Sequence, residues 1–306
     1  MHFKKVQLQT TSVCNARCLC CPYSNSWMVN NPGVMTDRLF DKILANIKRE
    51  DPSFDGMISP YLANEPFADS KIIKRIEKIY KVLNNPLVEI STNTGLLSKE
   101  KILELYKVLY GKRAKLVISH HGIDKKTFEH IMKIPYEKSL GNAIDLITVF
   151  NGKIPIAIQD MAMSKDTTFH WYTPRKVKRY WDKIFKDNNL EWNDKIWLST
   201  SQFHSRAGNV DLEGWNYNTK VRDIGPNNPF DCYRVYSDCL HVLYNGDVTL
   251  CCMSPYRHEA IFGNLNKQTI SEVFNSNEYR KLLSQVHGDI ESPDDFICKR
   301  CDSIGG

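Results

Sequence analysis

The stretch Cys14-Asn15-Ala16-Arg17-Cys18-Leu19-Cys20-Cys21-Pro22 sets three thiols, Cys14, Cys18 and Cys21, at a CxxxCxxC spacing. It follows directly on a candidate strand in which Val6 and Leu8 alternate with polar neighbours. A structural zinc site needs four protein ligands, and no nearby His or Asp completes the tetrahedron. A four-iron, four-sulfur cube is bound by thiolates, and a trio of them leaves one iron without a protein ligand. At such a corner a cofactor can chelate iron and receive an electron.

Outward from this loop the chain alternates strand and helix. Thr36 is a candidate N-cap for a helix with Leu39, Phe40, Ile43, Leu44 and Ile47 on one side. Met57 to Leu62 reads as the second strand, and Ile72, Ile73, Ile76, Ile79, Tyr80 and Leu83 mark the second helix. Leu87 to Ile90 is the third strand, before a helix that Ser98 can cap and that carries Ile102, Leu105 and Leu109. Leu116 to Ile118 follows as a strand, with helical segments between Asp124 and Val149. Ile154 to Ile158 is the fifth strand; then come a helix with Trp181 and Phe185 on its apolar side and a sixth strand, Ile196 to Leu198. Six alternating units of short, continuously apolar strands and amphipathic helices predict a parallel sheet covered by helices. The pattern leaves open a doubly wound sheet or a partial barrel.

The character changes near Asp211. Residues 213–231, rich in Asn, Gly, Asp and Pro, read as a linker or ordered loop. Asn245-Gly246 between His241–Tyr244 and Asp247–Leu250 predicts a β-hairpin with a two-residue type I′ turn. Thr269 and Glu272 form a capping box ahead of Val273 and Phe274, and the chain runs on to Cys298-Lys299-Arg300-Cys301.

The N-terminal loop resembles the signature of the radical S-adenosylmethionine (SAM) superfamily. The resemblance implies that Cys14, Cys18 and Cys21 hold a 4Fe–4S cluster whose open iron binds SAM, which is cleaved to methionine and a 5′-deoxyadenosyl radical. Cys20 stands where the family usually has an aromatic residue or methionine, so only its backbone is expected to contact adenine. Ala63-Asn64-Glu65-Pro66 resembles the Gly-Glu-Pro element that meets the SAM amino group, with Asn64 in place of glycine. Ser91-Thr92-Asn93-Thr94-Gly95 resembles the segment near the methionyl moiety, with Asn93 as the matching residue, and Ser119 resembles a ribose-contacting serine. These matches fall at successive strand ends, where parallel β/α sheets bind ligands. The family fold is a partial (β/α)6 TIM-like barrel, which resolves the choice that pattern leaves open.

Cys232, Cys251, Cys298 and Cys301, with Gly246 at the hairpin, resemble the smaller "twitch" form of the SPASM extension, which holds one auxiliary 4Fe–4S cluster on four cysteines. Read alone, four cysteines ending in CxxC also fit a zinc ribbon. The expected organisation is a barrel over 1–212, a linker over 213–231 and a twitch domain over 232–306. Of the remaining thiols, Cys239 and Cys252 are candidates for returning a hydrogen atom to a substrate radical, with burial or mere adjacency as the plain alternative. Arg206 is a candidate for orienting a hydroxyl or carboxylate or for helping to remove a proton; His120, His121, His204 and Tyr61 are candidates for a polar pocket.

The 306 residues, 42% hydrophobic and 25% charged, are those of a folded protein with a substantial core, and the ten cysteines fall at the two ends with none between Cys21 and Cys232. Neither a secretion signal nor an apolar run long enough to cross a bilayer is present, so cytoplasm is the expected compartment, and thiols grouped there point to metal chemistry rather than disulfides. The formal charge of +6 falls to about +3 if seven thiolates hold two clusters with cores of about +2 each. The basic residues are scattered, so neither nucleic acid nor membrane is an expected partner.

Expected partners are a small-molecule substrate, with a peptide as the alternative, and an electron donor such as flavodoxin or ferredoxin. Twitch enzymes acting on aminocyclitols resemble this chain in length and cysteine number. Only thirteen residues precede Cys14, which leaves little room for a leader-binding module and favours a small hydroxylated substrate, a sugar or aminocyclitol, that is dehydrogenated or epimerised.

Overall fold

In the computed structural model, which describes residues 2–161, 173–200, 205–210, 223–230, 232, 235 and 238–301, six parallel strands lie side by side in chain order. They are β1 (Lys5–Leu8), β2 (Met57–Ser59), β3 (Leu87–Thr92), β4 (Ala114–Ser119), β5 (Ile156–Asp160) and β6 (Ile196–Thr200). The connecting helices are α1 (Asp37–Glu50), α2 (Ile72–Val82), α3 (Lys99–Leu109), α4 (Lys125–Met132), α5 (Tyr136–Phe150) and α6 (Pro174–Asp187). A doubly wound sheet reverses its strand order at a switch point, whereas this order runs one way throughout. Crossovers of one hand then place the helices on one face, and the sheet is that of a partial (β/α)6 barrel.

The sequence expectation of continuously apolar strands needs correcting. Val6, Leu8, Ile58, Val88, Ile90, Leu116, Ile118, Ile156 and Ile158 are fully buried under the helices. Their neighbours Lys5, Gln7, Glu89, Ser91, Lys115, Ser119, Gln159 and Ser199 face a cleft on the other side. The period of two is therefore kept, with the polar half turned inward. The second strand ends at Ser59 rather than at Leu62, because Pro60 has no N–H to donate to a ladder.

The C-terminal region extends the same sheet. Strand β7 (Cys239–Val242) pairs in parallel with β1, Val6 opposite Leu240, and β8 (Asp247–Thr249) and β9 (Ile261–Asn264) continue antiparallel beyond it. The β7–β8 turn is not type I′, which requires positive φ at two residues. Gly246 alone is positive, at +90°, with its N–H on Leu243 O and with Leu243 N–H on Asp247 O. This is a three-residue loop, Tyr244-Asn245-Gly246, closed by a glycine bulge.

The capping box of Thr269 and Glu272 starts α7 (Ile270–Phe274), as the sequence implies. Strand β9 and helix α8 (Asn277–His287) were not expected from the sequence; Ser276 caps α8, and Gly288 ends it at φ +82°. A side chain at Gly288 would meet Gly225 O at 2.5 Å, so the close approach of the 223–230 segment depends on glycine there. Among the described residues no helix is long and apolar enough to cross a membrane.

Candidate functional site

The C-terminal ends of the strands open into a cleft of about 460 Å³. Cys14, Cys18, Cys20 and Cys21 from the loop after β1 line its rim, with Glu65, Asn93, Ser119, His121, Arg206 and Cys252 around them. The cysteine loop is held from several sides. Cys14 N–H donates to Tyr23 Oη at 3.0 Å, Cys21 N–H donates to Cys18 O at 3.0 Å, and Leu19 N–H donates to Ile131 O at 2.9 Å. All three loop thiols are free of disulfides. Burial, then the Glu65 carboxylate, pushes Cys14 up to about 12. Cys21 is also raised by burial, and Cys18 is raised by its hydrogen bond with Cys20, by burial and by the neighbouring thiols, including Cys14 and Cys21. Cys20 moves the opposite way, lowered chiefly by Cys18.

Mutually close, half-buried thiols of this kind keep their protons until a cationic centre replaces them. The donor set is all sulfur and has three members, which fits an iron–sulfur cube with one open corner. Among the described residues no group of three or more His, Cys, Asp or Glu is arranged to hold a single metal ion.

Glu65 sits at the end of the β2 loop and reaches across to β3. Its Oε1 accepts from Thr92 Oγ1 at 2.7 Å and from Phe67 N–H at 3.2 Å, and its Oε2 accepts from Asn93 N–H at 2.8 Å. Burial nevertheless lifts it to about 7, so a positive group docking beside it would recover the lost ionisation. Asn93 is fully engaged: Nδ2 donates to Asn15 Oδ1 and Oδ1 accepts from Gly95 N–H, both at 2.9 Å. It orders the cysteine loop from the end of β3. Ser119 pairs with Ser91, Oγ to Oγ, at 3.2 Å.

The histidines separate. His121 lines the cleft, and burial and then Arg206 bring it down to about 4. His120 points the other way and is not part of the pocket. Its ring is fully buried between Phe128, Trp181 and Tyr180, with Nε2 at 3.2 Å from Tyr180 Oη. Tyr61 lines the cleft as expected. His204 lies outside the described residues, as do residues 213–222 and 231 of the linker.

Arg206 takes φ +53° and is followed by Ala207 and Gly208, also at positive φ. This bend carries its guanidinium to the cysteine rim, where it acts on Cys20, Cys21 and His121. Cys252 lines the cleft, whereas Cys239 does not. Cys239, raised to about 11 by burial and then Asp238, sits opposite Lys5 on β7.

In the C-terminal set, Cys232, Cys251 and Cys298 are buried in the continuous core, and Cys301 packs against it. Ser254 fixes the turn at Cys251, accepting its N–H and donating to its C=O, each at 2.8 Å. Burial, then Cys252, and more weakly Cys301 raise Cys251 to about 12. Cys298 and Cys301 share one turn, Cys301 N–H to Cys298 O at 3.2 Å.

Several site residues escaped the sequence. Tyr256 places its Oη 3.8 Å from Cys21 Sγ and so links the C-terminal region to the N-terminal trio. Asn15 and Thr92 do positioning work, and Lys5, Glu89 and Lys115 lie on the cleft floor. The readable signal for the floor was the polar alternation at 5, 7, 89, 91 and 115.

Comparison with known proteins agrees with this geometry. Residues 232–302 match the SPASM family, an iron–sulfur cluster-binding domain. No curated protein sequence matches the chain significantly. Among solved structures, BtrN in complex with AdoMet and 2-DOIA is similar over 99% of this chain and 94% of its own, with TM-score 0.58 and 16% identity. Streptococcus suis SuiB bound to precursor peptide SuiA is similar over 98% of this chain and 71% of its own, with TM-score 0.64 and 14% identity. Native anSMEcpe with bound AdoMet is similar over 90% and 81%, with TM-score 0.55 and 16% identity. The C-terminal region thus carries a SPASM iron–sulfur cluster-binding domain, and the chain as a whole shares the fold of these solved structures. Its barrel and its C-terminal iron–sulfur region form one continuous sheet.

Proposed function

We propose that this chain is a radical SAM enzyme that removes a hydrogen atom from a small polar, hydroxylated molecule bound in the barrel cleft and thereby dehydrogenates or epimerises it. One observation carries the reading: the three-thiol rim and a hydrophilic inner sheet face share the same 460 Å³ cleft. Cys14, Cys18 and Cys21 would hold the first 4Fe–4S cluster, and Cys232, Cys251, Cys298 and Cys301 the second. When bound, cluster and SAM supply the 5′-deoxyadenosyl radical. Glu65 receives the SAM amino group, Ser119 and the Cys20 backbone receive the nucleoside, and Asn93 keeps the loop in place for both.

For dehydrogenation the chain must orient a hydroxyl and take its proton. Arg206 serves the first role. His121, which lines the cleft beside Arg206 and is uncharged at pH 7, serves the second. The remaining electron of the substrate radical would need an acceptor, a chemistry that the second cluster held by Cys232, Cys251, Cys298 and Cys301 would supply. A flavodoxin or ferredoxin would deliver the electron that starts each turnover.

Epimerisation is the second reading, favoured by the Cys252 thiol on the cleft wall. The neighbours support both a small ligand, in BtrN, and a peptide, in SuiB. The size of the cleft supports the small one.

The test is mass spectrometry of 5′-deoxyadenosine formed by anaerobically reconstituted, reduced protein with deuterated sugars, cyclitols and peptides. Deuterium carried over from a sugar or cyclitol supports the reading, and transfer from peptides alone replaces its substrate class. Stoichiometric zinc with no SAM cleavage refutes it in favour of a non-catalytic zinc-binding protein.

A further inference from the structure

The floor of the cleft carries charges that the steps above do not use. Glu89 on β3 is held at both oxygens: Tyr61 Oη donates to Oε1 and Lys115 Nζ to Oε2, each at 2.8 Å. Against the upward push of burial, Lys115 and then Tyr61 keep it below the ordinary carboxylate range. It stays an anion, with each oxygen already accepting one hydrogen bond. Lys115 has further N–H donors and leans towards the Trp197 ring, 5.9 Å from its centroid.

Lys5 on β1 faces the same floor and acts electrostatically on Glu89, yet its Nζ makes no hydrogen bond or ion pair among the described residues. The nearby Asp238 is engaged by Lys4 at 2.7 Å. Above Lys5, Gln7 is 5% exposed, lines the cleft and has an amide oxygen without a partner. Two ammonium groups thus face one carboxylate that already accepts from Tyr61 and Lys115, beside a buried amide that can turn either end to a ligand. A cleft lined this way attracts negative charge and disfavours a protonated amine.

We propose that the barrel floor is an anion subsite in which Lys5 and Lys115, with Gln7, bind a carboxylate or phosphate group of the substrate. The proposal rests on the cleft being the substrate site, and it narrows the substrate to acidic hydroxylated molecules such as sugar acids or sugar phosphates. An ammonium-to-anion hydrogen bond in a partly closed site is worth about tenfold or more in affinity.

Equilibrium dialysis of the reconstituted, SAM-loaded protein against glucose, glucosamine, glucuronate and glucose 6-phosphate tests it. At least one acidic sugar should bind about tenfold more tightly than glucose, and glucosamine no more tightly than glucose. Preference for glucuronate alone assigns a carboxylate, for glucose 6-phosphate alone a phosphate, and for both an unselective anion site. Lys5→Met should abolish the preference, and Lys5→Arg should retain most of it; because the Lys5 ammonium makes no hydrogen bond or ion pair among the described residues, iron content and circular dichroism should be unchanged in both. Equal binding of glucose, a preference that survives Lys5→Met, or no binding of any of the four overturns the proposal. Failure of the enzymatic reading looks different: acidic sugars would still bind, but reduction would yield no 5′-deoxyadenosine.

Discussion

Asn93 donates its side-chain N–H to Asn15 Oδ1 across 2.9 Å, and through this bond the end of β3 holds the first turn of the cysteine loop. Gly95 lies against the same pair; a side chain there would come within 2.9 Å of Asn15 Nδ2. Asn93→Ala leaves the half-buried Asn15 oxygen and the buried Gly95 N–H without this partner. It should cost about 1–3 kcal/mol in urea unfolding of the apo-protein. The same variant should take up less iron on reconstitution, measured per chain.

The two cysteine sets should be separable by iron analysis. Wild-type protein is expected to hold about eight irons, and replacing Cys14, Cys18 and Cys21 together by Ser should leave about four, with SAM cleavage lost. Cys298→Ser with Cys301→Ser should also leave about four irons but retain reductive SAM cleavage. Zinc in place of iron in either set contradicts the assignment.

Tyr256 reaches from the C-terminal region to within 3.8 Å of Cys21 Sγ. A hydroxyl donating to a cluster thiolate stabilises the reduced state, because it offsets the added negative charge. Tyr256→Phe should therefore lower the midpoint potential of the N-terminal cluster while its iron content stays constant. Redox titration followed by electron paramagnetic resonance reads this; an unchanged potential removes Tyr256 from that role.

Burial, and then His121, brings His120 from 6.5 down to about 3. A base whose folded value is depressed binds its proton in the unfolded chain first, so its neutral burial is fully favourable above 6.5. The stability is then lost as pH falls from 6.5 towards 3, at up to about 1.4 kcal/mol per pH unit. Between about pH 7 and about pH 5, His120→Phe apo-protein should lose about 2 kcal/mol less than the wild type in urea unfolding. Equal losses would mean that His120 is not buried neutral.

If the outcome of the reaction is inversion, Cys252→Ala should still form 5′-deoxyadenosine but release no inverted product. Cys239→Ala, at a thiol that does not line the cleft, should behave as wild type. Inversion that survives in Cys252→Ala assigns the hydrogen donor elsewhere.

Much of the fold was readable because local chemistry announces it. Thr36, Ser98 and Thr269 cap the helices they were expected to cap, and Val6, Leu8, Ile90 and Ile118 mark core faces by their spacing. The cysteine trio was equally plain, since its members are within eight positions of one another. The Asn245-Gly246 turn was placed correctly but given the wrong form, because pairing of β7 with both β1 and β8, not the dipeptide, sets the loop length. Helix α8 was missed because its short apolar face is completed only by β9 and α7.

Residue order and spacing were enough to reveal the sulfur chemistry and the β/α rhythm, since both are carried by neighbours along the chain. They could not say that His121 turns into the cleft while His120 turns away from it, or that Lys5, Glu89 and Lys115 meet on one floor. Those residues belong to three strands and are up to 110 positions apart. Their meeting depends on strand register and on the one-way order that curls the sheet, both of which arise from packing the whole barrel.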